Sequence, residues 1–128
     1  MRESPAVRDL ILGVVDAFNR EDVDAVVAAF ASEDAVLVMA QHVEDWAEGR
    51  DAVAALFRAE LGRFRIAADE VRSWEHGDVG WAAARLRYLS ARYTNDGGEL
   101  PTRLSAVALR VGSEWKLILL HSHLVSDD

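Results

Sequence analysis

The chain has 128 residues, 51% hydrophobic and 28% charged, a length and balance that fit one folded domain with a genuine core. A formal net charge of −8, with no cluster of Lys and Arg, excludes nucleic acid and anionic membrane as main partners. Cys is absent, so disulfides, thiolate metal sites and thiol nucleophiles are excluded too. "MRESPAVRDL" lacks the apolar core of a secretory signal and no stretch reaches membrane-spanning length, so the expectation is a complete, cytoplasmic protein.

Ser4 followed by Pro5 reads as N-cap and first helical residue. Val7, Leu10, Ile11, Val14, Val15 and Phe18 then recur at helical spacing. Asn19 to Asp22 is a turn into a second short helix with Val23, Val26, Val27 and Phe30 inward. "AVLVM", Ala35 to Met39, is a short buried strand, and Gln41 to Gly49 is a loop carrying His42, Glu44, Asp45 and Trp46. A third helix is expected from about Asp51 to Leu61, stopped by Gly62.

From Phe64 the period changes to that of strands. Phe64 to Glu75 and Val79 to Tyr93 are joined by "HGD". Thr94 to Pro101 is a wider turn, Thr102 to Val111 and Trp115 to Val125 are joined by "GSE", and "SDD" is a frayed tail. Helices grouped early and strands late indicate an α+β fold with a largely antiparallel sheet.

The last strand, "WKLILLHSHLV", is apolar on both faces. Simple alternation puts Leu117 and Leu119 with His121 and His123, and Ile118, Leu120 and Leu124 on the other side. Three short helices cover only one side of a sheet. The other side is expected to pack on a second copy of the chain, giving a homodimer or larger symmetric assembly; a tail folding over it is the alternative.

"LPTRLSAVALRVGSEWKLILLHSH" resembles the closing hairpin of SnoaL-like domains of the nuclear transport factor 2-like superfamily. Arg103 matches the Arg of an Arg-x-Thr pattern in which Ser105 takes the Thr position. Gly112 falls in the turn, Trp115 matches a Trp, and His121 a His six residues later. "AFNREDVDAVVAAFASEDAVLV" and "WAEGRDAVAALFRAEL" resemble the family's earlier segments. Two departures are plain: Leu119 stands where relatives of the kinase association domain carry a His, and His123 replaces a small hydroxyl residue. The resemblance implies a single domain over residues 1–128, a cone of curved sheet around three helices, and an apolar pocket at the wide end. Families of this type include polyketide cyclases, ketosteroid isomerases, scytalone dehydratase and epoxide hydrolases, beside many members without known catalysis.

The candidate site follows from the hairpin register. A three-residue loop sets Arg103 opposite His123 and Ser105 opposite His121; a two-residue loop sets Arg103 against Ser122. The family alignment favours the first. His121 is then the general acid or base, and Arg103 the holder of a carboxylate or enolate oxygen. His123, Ser105, His42, Trp46 and Glu60 are candidate substrate-binding residues, with Glu44 or Asp45 as further acids. The bland reading is that Arg103 and the two imidazoles only satisfy one another. Trp46 and Trp74 are candidates for the pocket mouth, while Arg85 and Arg87 read as solvated or paired with acids. His121 and His123 supply two possible metal ligands without a third at metal-site spacing, and no nucleotide fingerprint occurs. No metal and no cofactor is expected. Two functions stay open: cofactor-free isomerisation, cyclisation, dehydration or hydrolysis of a small apolar or weakly acidic organic molecule, and a non-catalytic ligand-binding or oligomerisation module.

Overall fold

The fold is given by a computed structural model, which describes residues 1–89 and 98–125. Of the turn expected over 94–101, residues 94–97 lie outside the described residues, as do the strand beyond 89 and the "SDD" tail. Glu99, Leu100 and Pro101 are not turn but strand, paired with Leu89, Tyr88 and Arg87.

A two-residue strand that the sequence reading missed, β1 (Arg2–Glu3), opens the chain. Helix α1 (Pro5–Asn19) begins as expected, with Ser4 Oγ accepting from the Val7 N–H at 3.1 Å and Pro5 in the first turn. Its inward stripe is Val7, Ile11, Val14, Val15, Ala17 and Phe18. Asp22 caps α2 (Val23–Ala28) by accepting from Ala25 N–H at 3.1 Å. The loop expected over 41–49 holds a strand of its own: β2 (Leu37–Met39) turns back antiparallel into β3 (Trp46–Glu48). Three residues are too few to show an alternation, which is why that strand was not legible. Helix α3 (Arg50–Glu60) follows, and Gly62 (φ +83°) sits just past its end as the sequence suggested.

Four long strands complete the chain: β4 (Arg65–His76), β5 (Val79–Leu89), β6 (Glu99–Val111) and β7 (Glu114–Leu124). The seven strands form one sheet in the order β1-β4-β5-β6-β7-β2-β3. All pairings are antiparallel except β2 on β7, so the last strand lies inside the sheet. Bulges at Asp69 in β4 and Ile118 in β7 add local twist and bend the sheet around the helices. The result is the expected α+β cone.

The core lies between α1, α2, α3 and the concave sheet face, where β5 and β6 contribute Ala82, Ala84, Leu86, Leu104, Ala106 and Ala108. Small residues there let the helices approach closely. At Gly80 the approach is close: a Cβ would come within 2.7 Å of Val7 Cγ2, 3.1 Å of the Trp115 ring and 3.3 Å of the Trp74 carbonyl.

The β6–β7 hairpin corrects the face assignment. Its loop has two residues, Gly112 and Ser113, with Val111 paired to Glu114. Two residues alone would set Arg103 against Ser122. The bulge at Ile118 inserts one more residue into β7, and beyond it Arg103 pairs with His123 and Ser105 with His121. The expected partners are right, though a bulge rather than a longer loop produces them. It also changes the side of Leu117, which is fully buried on the concave face instead of sharing the histidines' face.

Candidate functional site

Between α1, α3 and the concave face lies a hollow of about 70 Å³. Its walls are Ile11, Val14, Val15 and Phe18 of α1, Leu56 and Phe57 of α3, and Val38, Leu86, Leu104 and Leu120 of the sheet. An aromatic cluster backs it. The Phe64 ring stacks on Tyr88 at 4.3 Å, Phe18 lies 5.0 Å from Phe64, and Phe57 meets Phe18 edge-on at 6.3 Å.

The polar lining is sparse and divided. Inside, the buried Tyr88 hydroxyl donates to Ser122 Oγ at 3.2 Å. At the half-exposed rim stand Gln41, Asp45 and Glu60. Gln41 Oε1 is buried and has no hydrogen-bond partner among the described residues. A buried acceptor without a donor costs about 1–3 kcal/mol, so a ligand that donates to it gains that much. Size sets a second condition. An apolar cavity of about 150 Å³ admits benzene, so a ring-sized occupant here must displace wall side chains such as the half-buried Leu56 and Phe57.

Of the residues singled out from sequence, only Glu60, with Asp45, borders this hollow. Arg103, Ser105, His121 and His123 do share one face and one neighbourhood, the His rings 5.4 Å apart. That face is the outer one. Leu104, Ser122 and Leu120, which alternate with them, are the residues that point to the hollow. The expected placement of Arg103 and His121 in the pocket wall is therefore corrected: with period two, a strand whose Leu and Ser fill the inside must turn its Arg and His outside. His42 is exposed in the β2–β3 turn and does not line the hollow, nor does Trp46, which is 57% exposed with its indole N–H on Glu48 at 2.7 Å. Trp74 lies on the outer face beside Trp81. Arg85 and Arg87 are paired with acids as expected, Arg85 with Glu70 and Arg87 with Asp69 and Glu99. No group of three or more His, Asp or Glu is placed to hold a metal among the described residues.

A family model described as a SnoaL-like domain matches residues 7–125. The chain belongs to the SnoaL-like domain family. Solved structures share the fold of this SnoaL-like domain throughout. A protein of unknown function with a cystatin-like fold from Nostoc punctiforme PCC 73102 matches with TM-score 0.80 and 17% identity, over 99% of this chain and 97% of that one. A candidate calcium/calmodulin-dependent protein kinase type II association domain from Thiobacillus denitrificans gives 0.79 at 21% identity, over 95% and 97%. A nuclear transport factor 2-like protein from Streptomyces avermitilis, named as a candidate dehydratase, gives 0.78 at 16%, over 94% of each chain. No curated protein matches the sequence. Likeness at these identities establishes the fold of the SnoaL-like domain and leaves its chemistry to the site.

Sequence reasoning overlooked Tyr88, Ser122 and Gln41. A signal for the first two was present. On β5 and β6 the residues in step with Tyr88 are Ala82, Ala84 and Leu86, opposite Leu104 and Ala106. A helix-covered concave face favours such small and apolar residues, whereas the alternate face carries Arg85, Arg87 and Arg103. No helix of the SnoaL-like domain is long and apolar enough to cross a membrane among the described residues.

Proposed function

We propose that this SnoaL-like domain holds a small, mainly apolar organic molecule in its hollow, and that Asp45 and Glu60 act there by proton transfer without a cofactor. The observation that carries the reading is the sorting of groups around the hollow: apolar and aromatic walls, two hydroxyls inside, and the two carboxyl-bearing residues at the rim. A carboxylate is a general base for a C–H made acidic by a neighbouring carbonyl. The Ser122 hydroxyl, which accepts from the Tyr88 phenol, has its own proton to donate to the developing enolate oxygen. The reaction class is therefore isomerisation, cyclisation or dehydration through an enolate.

Deuterium uptake tests this directly. Cyclic ketones in D₂O are followed by NMR for exchange of the hydrogens beside the carbonyl. Wild type is expected to accelerate exchange, with Asp45→Asn or Glu60→Gln lowering the rate by about 10²–10⁴-fold, the usual share of a general base. Ligand-induced shifts at Tyr88 and Leu104 without any exchange would favour the rival reading, a pocket that only binds.

A second copy of the chain is the proposed protein partner. Trp74, Trp81, Val107, Leu119 and Leu37 form a continuous row across β4, β5, β6, β7 and β2 on the outer face, each half-exposed in the single chain. Such a row on a sheet face free of helices fits a two-fold contact with the same row of a partner.

A further inference from the structure

The outer face holds a second feature, independent of the hollow. On four adjacent strands, Glu70 pairs with Arg85, Arg85 with Arg103, and Arg103 with His123. The neighbouring row sets Arg72 against Ala83, Ala83 against Ser105, and Ser105 against His121. The small Ala83 leaves the floor low between the long side chains, and a groove of about 470 Å³ opens there.

Charge in this groove is unbalanced. Glu70 serves two guanidinium groups, Arg72 at 2.9 Å and Arg85 at 3.3 Å. Arg103 makes no ion pair among the described residues, although Arg85 stands directly opposite it. Like charges facing across an antiparallel pair repel unless something intervenes. Elsewhere on the same sheet the arginines are matched: Arg87 bridges Asp69 and Glu99, and Arg110 holds Asp78. A chain of net charge −8 thus gathers three arginines and a histidine around a single carboxylate.

We propose that this groove binds a small oxyanion carrying two negative charges, a phosphate group or a dicarboxylate. Arg103 supplies the bidentate fork, with Arg85 adding charge, Ser105 a hydroxyl donor and His123 an imidazole N–H from the opposite strand. Arg72, Ala83 and Ser105 form the edge of the groove nearest the Trp row, so an anion held by Arg103 and a second copy of the chain seated on Trp81 occupy neighbouring parts of the face.

The test is calorimetric titration of the full chain with inorganic phosphate and, separately, with malonate, chloride holding ionic strength constant. Saturable binding is expected with Arg103→Gln weaker by about tenfold or more, the scale of one hydrogen bond to a charged group. Arg110→Gln, at the far end of β6, is the control expected to bind as wild type. Response to phosphate alone assigns a phosphoryl ligand, response to malonate alone a dicarboxylate. His123 faces Arg103 and Ser105 on β6 and His121 on its own strand, with Arg85 and Glu70 across the groove. His123→Gln is expected to weaken malonate binding without abolishing it. Failure of both anions to saturate, or equal affinity in wild type and Arg103→Gln, overturns the proposal. A change of oligomeric state in Arg103→Gln without anion binding does so too, and assigns the groove to a protein contact.

Discussion

Ser4 is bonded on every side. Its hydroxyl accepts from Val7 N–H and donates to Glu75 Oε2 at 2.6 Å, while its main chain exchanges two bonds with Ser73. Arg2 reaches the other oxygen of Glu75 at 2.6 Å, so the carboxylate ties β1, the start of α1 and β4 together. The Ser4 hydroxyl first, then Arg2, holds the Glu75 carboxyl below the usual carboxylate range. A group depressed on folding stabilises the fold above its unfolded pKa and loses that contribution as pH falls through its folded value. Thermal unfolding of the wild type is therefore expected to drop below about pH 4.5, and Glu75→Gln to show a lower midpoint at pH 7 with a shallower acid slope. Gly80→Ala tests a close helix–sheet contact: a methyl 2.7 Å from Val7 must displace it, for a loss of about 1–3 kcal/mol in denaturant unfolding. At this scale the Ser4 cap was legible because its signal is local. The bond to Glu75 was not, because its two ends are far apart in sequence and nothing in either segment names the other.

Among the elements, α1, α3 and the four long strands were readable because each repeats its period several times. β1 and β3 repeat theirs too few times to register. β7 was misread, instructively, in its loop, which has two residues and not three, and in its faces. Alternation counted back from His121 puts Leu117 outside, but the bulge at Ile118 resets the count. The candidate site was misplaced for a related reason. Polar residues on an apolar strand drew attention to their own face, whereas the occupied inside was marked by Leu104, Leu120 and the quieter Ser122. Deleting Ile118 is expected to regularise the ladder while leaving Leu117 inside and His121 and His123 outside. Cross-strand NOEs between Arg103 and His123 would persist, and their replacement by Arg103–Ser122 contacts would refute this account of the bulge.

For the whole molecule, the covered and uncovered faces of the sheet set the behaviour in solution. Trp81→Glu places a charge in the middle of the half-exposed apolar row. It is expected to shift the sedimentation behaviour from dimer to single chain without lowering the far-UV circular dichroism. A wild-type single chain at high micromolar concentration would remove the second copy as partner. Assembly of the fold itself is governed by another feature, the parallel seating of β2 on β7. Leu37 cannot be zipped into place until Leu119 arrives from the opposite end of the sequence, and the bridge between Phe30 and Leu117 has the same requirement. Closing so long a loop is entropically costly and slow. The β2–β3 hairpin closes locally, but its turn, which carries Gln41 and Asp45 to the rim, is fixed against the sheet only through β7. The hollow is thus walled by residues from both ends of the chain, so an occupant that touches Val38 and Leu120 together would reinforce the pairing that brings those ends side by side.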